Sequence, residues 1–164
     1  NYSEKLPSLD GKSGDERVSA ILIPDQAYDV EEDEFVELPE ATNEMLTRYY
    51  DYLLDKLPVG LRLTGREDLG YFGWEERFIW GGGNDKEYKE LKEKFASCDD
   101  KFKFIRLHSI SEEFGIMAEV QRITDKNLFT IPLADLVTLD EKIKEHQLIE
   151  DYSSWFVNFG PEAW

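Results

Sequence analysis

The sequence predicts an α+β domain: a small antiparallel β-barrel or curled sheet of SH3-like type, flanked by three helices and preceded by an acidic N-terminal arm. Three observations carry that expectation. Short segments of alternating apolar residues recur between Val59 and Leu133 with turn residues between them, the mark of an antiparallel meander rather than of βαβ units. Three other segments show the spacing of amphipathic helices. Finally, the 164 residues are 41% hydrophobic and 13% aromatic, which supplies one packed core and argues against a chain disordered throughout.

Residues 1–38 read as an acidic arm or linker and residues 39–164 as one domain. The arm opens on Ser, Gly, Pro and Asp and holds one apolar run, Val18 to Ile23, stopped by Pro24; this run reads as an edge strand. From Asp29 to Glu44 there are eight acids and no base, a density that self-repels and favours an extended, solvated segment. Asp29, Glu31, Asp33, Glu37 and Glu40 fall at positions 1, 3, 5, 9 and 12 of an EF-hand loop. Position 6 is Glu34 where that loop needs Gly, and Pro39 interrupts its exit, so the match is one that any run this acidic produces.

The first helix is expected over 42–57, with Thr42 as N-cap and Leu46, Tyr49, Tyr50, Leu53, Leu54 and Leu57 on one stripe, ended by Pro58. Val59, Leu61 and Leu63 then alternate as a strand. The glycine-punctuated, aromatic segment that follows reads as a long loop containing a short strand, Trp74 to Trp80, and two acidic doublets, Glu67-Asp68 and Glu75-Glu76. Gly81-Gly82-Gly83 has no Gly-Lys-Ser/Thr after it, so it is a hinge or strand break rather than a phosphate cradle. A covering helix is expected over 85–95, with Tyr88, Leu91 and Phe95 inward. Lys101 to Ile110 is a strand whose phase slips between Phe104 and Ile105, as at a bulge. Ile116, Ala118 and Val120 form the next strand, Asp125-Lys126-Asn127 the turn, and Phe129, Ile131 and Leu133 the returning strand. A last helix over 143–157 carries Leu148, Ile149, Tyr152, Trp155 and Phe156 on one stripe.

Thirty-six acids against nineteen bases give a formal charge of −17. A field of that sign disfavours nucleic acid and membrane surfaces as partners and attracts cations or a basic protein. A solvated acidic surface without any site explains the same composition, and on composition alone both readings stand. Cys98 is the single cysteine, which excludes an intrachain disulfide and a cysteine-rich zinc cluster. The chain reads as intracellular and cytoplasmic, with no apolar run long enough to cross a bilayer. His108 and His146 have no nucleophile motif around them, so no catalytic constellation emerges and a non-enzymatic protein is expected. What remains is hard-cation chemistry, for which clustered carboxylates are the natural ligands. The alternative is an acidic interaction module or inhibitor docking a basic partner.

Three motifs carry a resemblance: RYYDYLLDKLP (48–58), FTIPLADL (129–136) and IEDYSSWF (149–156). Together they resemble the CcbP-type family of small acidic calcium-binding proteins, over about residues 40–160. The resemblance implies a β-barrel-like domain with flanking helices that binds calcium through surface carboxylates, without catalysis, for buffering or sensing. Carried over residue by residue, it points to Asp135, Asp140, Glu150 and Asp151 as metal ligands. The longer middle, residues 66–100, and the arm before Glu40 depart from the family pattern.

Overall fold

A computed structural model describes residues 11–24, 37–66, 70–75 and 84–161. Among them are four helices, α1 (Gly14–Leu22), α2 (Asn43–Leu53), α3 (Asp85–Lys94) and α4 (Lys144–Phe159), and five strands, β1 (Arg62–Gly65), β2 (Lys101–Ser111), β3 (Gly115–Arg122), β4 (Leu128–Pro132) and β5 (Leu136–Thr138). The strands form one antiparallel sheet in the order β4-β3-β2-β1-β5. The architecture is α+β, as the alternation of apolar residues requires. None of the helices is long and apolar enough to cross a membrane.

The sheet is open. No ladder joins β4 to β5 among the described residues, which corrects the expectation of a closed SH3-like barrel. It is nonetheless curled, as chain connectivity demands. β4 and β5 are the two edges, four strand spacings apart, or roughly 19 Å if the sheet were flat. The chain passes from one edge to the other through the single 3-10 turn Leu133–Asp135, and Pro132 to Leu136 spans at most about 14 Å even when extended. The edges must therefore approach. Two register shifts in β2, at Phe104/Arg106 and Leu107/Ser109, supply the bending that bulges provide. The first lies where the sequence phase slips; the buried side chains pass from Phe102 and Phe104 to Leu107.

The concave side is filled by α2 and α4. Ile149, Tyr152, Trp155 and Phe156 of α4 are buried, as their spacing requires, and Leu148 is packed against them. Tyr49 of α2 stands edge-on to Tyr152 at 5.1 Å and tilted to Trp155 at 5.4 Å between centroids, distances at which aromatic pairs attract beyond their buried area. The Tyr152 hydroxyl accepts a hydrogen bond from the Ile116 backbone N–H at 2.8 Å, and the Trp155 indole N–H donates to the Pro39 carbonyl at 2.9 Å.

Two strand expectations are corrected. The run Val18 to Ile23 is helical as far as Leu22: the Ser13 side chain accepts from the Glu16 N–H, Asp15 and Glu16 favour the first turn, and Val18, Ile21 and Leu22 are buried at i, i+3 and i+4. α1 lies against α2 and α4, so this part of the expected arm belongs to the core. Trp74 lies in a 3-10 segment, Gly70–Glu75, and donates its indole N–H to the Ala96 carbonyl; it opens no strand. Residues 76–80, the glycine triplet, the doublets' Glu67, Asp68 and Glu76, and the EF-hand-like positions from Asp29 to Glu34 lie outside the described residues. α2 ends at Leu53 and continues as a turn, leaving Leu54 exposed rather than on the buried stripe.

α3 differs from the expected covering helix, since none of its residues is buried and Phe95 beyond it is 46% exposed. It is held at its C-terminal end by Arg122. That side chain occupies the fourth inward position of β3 and is 3% exposed. Its guanidinium donates to the carbonyls of Lys92, Glu93 and Phe95, to Asp100 at 2.9 Å and to Asp125 at 2.7 Å, and stacks over Phe129 at 4.9 Å. A cation at a helix C-terminus also meets the negative end of the helix dipole.

Two substitutions test these contacts by urea denaturation. Gly115 has φ +76°, and a Cβ there would come within 2.4 Å of the Tyr152 hydroxyl oxygen and 2.7 Å of the Phe156 ring; Gly115→Ala is expected to cost about 2–4 kcal/mol, from backbone strain and overpacking together. Arg122→Lys keeps the charge but loses the planar fork, and should cost on the order of 3 kcal/mol, as breaking a buried charge network does.

Candidate functional site

The four carboxylates the sequence singles out are placed by the link between β4 and β5 and by α4. Asp135 ends the 3-10 turn, Asp140 follows β5, and Glu150 and Asp151 lie mid-way along α4. Consecutive helical residues point about 100° apart, so Glu150 and Asp151 serve different neighbourhoods.

Asp135 and Glu150 share one corner, organised by Arg66. The Arg66 backbone N–H donates to the Asp135 carbonyl at 2.9 Å, and its guanidinium donates to the Leu136 carbonyl at 3.0 Å and pairs with Glu150 Oε1 at 2.7 Å. The Ser153 hydroxyl, one turn along from Glu150, donates to the Ala134 carbonyl at 2.8 Å and ties α4 to the turn. The corner is under-satisfied. Glu150 Oε1 and Arg66 Nε are buried without a hydrogen-bond partner; the ion pair brings the two groups within contact distance without N–H geometry. The Asp135 carboxylate accepts one hydrogen bond, from the Tyr71 N–H at 3.1 Å. Burial pushes its pKa above the ordinary carboxylate value, and the Tyr71 N–H and the Arg66 charge offset this only in part.

Asp151 is differently placed. It is 8% exposed and takes the Arg17 guanidinium bidentately, Nε to Oδ2 at 2.6 Å and Nη2 to Oδ1 at 3.0 Å, with the Gln147 amide donating to Oδ1 at 2.7 Å. That pair anchors α1 on α4. Asp140 is exposed; its carboxylate accepts from the Lys142 N–H at 2.9 Å and its carbonyl from the Thr138 hydroxyl at 3.0 Å. His146 completes this local arrangement through a 2.8 Å contact between Nδ1 and the Thr138 hydroxyl.

The four carboxylates thus do not converge on one point. Asp135 and Glu150 are each linked to Arg66, Asp135 through its carbonyl and the reach of the Arg66 charge, Glu150 through an ion pair, while Asp151 and Asp140 stand apart, each with its own partners. Among the described residues no group of three or more His, Cys, Asp or Glu is placed to hold a metal ion. Calcium takes six to eight oxygen ligands, and the four do not form such a cage. Around Arg66, the oxygens a hard cation could engage are the Asp135 carboxylate and Glu150 Oε1, the latter buried and held by the ion pair without a hydrogen bond.

Sequence reasoning counted acids and passed over Arg17 and Arg66, which decide how those acids are used. For Arg17 a signal existed, since Ser13, the acids after it and the i, i+3, i+4 apolar triplet spell a helix start. For Arg66 none did; its role depends on where β5 returns beside β1.

A solved structure described as a calcium binding protein in the calcium-binding form has a similar fold, with a TM-score of 0.52 and 15% sequence identity, covering 93% of this chain and 96% of that one. At that identity the likeness is one of fold. It agrees with the calcium-binding resemblance read from the motifs, without establishing the CcbP-type family. No protein-family model matches the chain, and no curated protein matches it.

The raised pKa of Asp135 fixes a pH dependence. Its protonated form is favoured by the fold, so the native state binds more protons than the unfolded one. This group therefore lowers stability as pH rises from the unfolded value of 3.8 through the raised folded value. Asp135→Asn keeps an acceptor for the Tyr71 N–H and removes the charge. Without added metal it is expected to raise the thermal midpoint at pH 7, and the difference from the parent should close below pH 3.8; scans across this range measure it.

Proposed function

We propose that this chain is a non-enzymatic calcium-binding protein of low affinity, acting as a buffer or sensor through the carboxylates of Asp135 and Glu150. The observation that carries the reading is at Arg66, whose charge acts on both Glu150 and Asp135 and whose ion-pair partner Glu150 Oε1 is buried without a hydrogen bond. Supporting it are the formal charge of −17 and a fold shared with a protein described as calcium-binding. Bound calcium would supply the positive charge the corner lacks.

The chain's own residues then do the remaining work. Asp135 and Glu150 provide oxygens from two elements that the Ser153 hydrogen bond already holds together. Arg66 balances Glu150, and in part Asp135, when no cation is present. Asp151, engaged by Arg17 and Gln147, is a structural group in this reading, and Asp140 is a peripheral one. Few protein ligands and a resident competing arginine both weaken affinity, and dissociation constants of about 10⁻⁵–10⁻³ M are expected, the range of flexible or less charged sites.

Calorimetric titration with calcium, and with magnesium for comparison, tests this directly. Calcium at a hundred times its dissociation constant should stabilise the fold by about 2.7 kcal/mol. Asp135→Asn with Glu150→Gln should abolish the heat of binding, whereas Asp140→Asn should leave it unchanged. A thermal midpoint unmoved by about 10 mM calcium, well above the weakest such affinities, would overturn the proposal.

A further inference from the structure

A second site lies where α1, α2 and α4 meet. A cavity of about 580 Å³ opens there, lined by neither Asp135 nor Glu150, and its volume is that of small-molecule pockets. Ile21 and Leu148 make its apolar wall; Arg17, Tyr49, Lys56 and Lys144 are among its polar residues. Three of those four are cations, in a chain whose formal charge is −17. Two acids, Asp55 and Asp151, share the wall, so the cavity reverses the sign of the molecule locally. More distant acids act weakly on it, since salt screens charges beyond about 8 Å.

The hydrogen-bonding capacity left over in the wall consists chiefly of donors. Asp151 is taken up by two bonds from Arg17 and one from Gln147. Lys144 pairs with no described residue, and Lys56 lies over the Tyr52 ring at 4.8 Å, with Asp55 at the outer limit of an ion pair, 4.0 Å. Tyr49 is 1% exposed, and its hydroxyl has no hydrogen-bond partner. Tyr49 lines the cavity but its hydroxyl is shut away from the opening, so it contributes shape to the wall rather than a hydrogen bond.

We infer that this cavity binds a small organic anion, with a carboxylate or phosphate group at Lys56 and Lys144 and an apolar body against Ile21 and Leu148. Recognition rests on matching an acceptor-rich ligand to a donor-rich wall. The apolar face sets the preference for an organic body over a bare ion. No oxygen of the Arg66 corner takes part.

The test uses the full chain in EGTA, so its result stands apart from the calcium reading. Benzoate and phenyl phosphate are titrated by NMR, with benzamide as the uncharged comparison of similar shape. At least one anion is expected to bind saturably, with shifts at Tyr49, Lys144 and Leu148. Benzamide should bind about tenfold more weakly, the equivalent of 1.4 kcal/mol. Lys56→Gln combined with Lys144→Gln, both at part-buried or exposed positions, should weaken the anion at least tenfold. No saturable binding of either anion by about 10 mM, a concentration ten times that matching 4.1 kcal/mol of affinity, would overturn the inference. So would benzamide binding as tightly as benzoate, or an anion affinity unchanged in the double variant.

Discussion

The short link between β4 and β5 is the constraint on which this fold depends. Three residues in a 3-10 turn carry the chain from one edge of a five-stranded sheet to the other, and only a strongly curled sheet permits that. Curling creates the concave face that α2 and α4 fill with Tyr49, Tyr152, Trp155 and Phe156. It also brings the turn itself against α4, where Ser153 holds the Ala134 carbonyl. The candidate site is a by-product of this geometry: Asp135 ends the turn that closes the circuit, and Glu150 faces it because α4 caps the opening.

A second theme is that arginines, the minority charge, organise the majority. Arg17 holds Asp151 and with it α1; Arg66 holds Glu150 and the carbonyls of Asp135 and Leu136; Arg122 gathers Asp100, Asp125 and the end of α3. A planar guanidinium can satisfy two or three acceptors at once where an ammonium offers a point charge. In so acidic a chain, where acids outnumber bases 36 to 19, most carboxylates must face solvent. Those held by Arg17, Arg66 and Arg122 mark structural joints.

Most of the fold was legible because the periodicities of α4, β3 and β4 are strong and local, and even the bulge in β2 left its trace in the slip after Phe104. What escaped was what depends on distant partners. A short apolar run carries little period, so Val18 to Ile23 reads as an edge strand, and the signal that favours the helix is the cap at Ser13. Closure of the barrel failed for want of a ladder between β4 and β5, which no local pattern reports. For the site, the sequence named the acids but could not say that Glu150 and Asp151, neighbours in the chain, face different arginines. The link of Asp135 and Glu150 to Arg66 arises only once β5 has returned beside β1.

Arg122 has a dynamic consequence. α3 buries none of its side chains, so its attachment rests on the carbonyls that Arg122 grips at its last turn and on the stacking of Trp74 with Tyr88 and Phe95. A segment fastened at one end by polar contacts opens without disturbing the core behind it. α3 is thus a cooperative unit of its own. Its amides exchange with solvent hydrogen through small, local excursions, while those of β2 and β3 wait for the whole molecule to unfold.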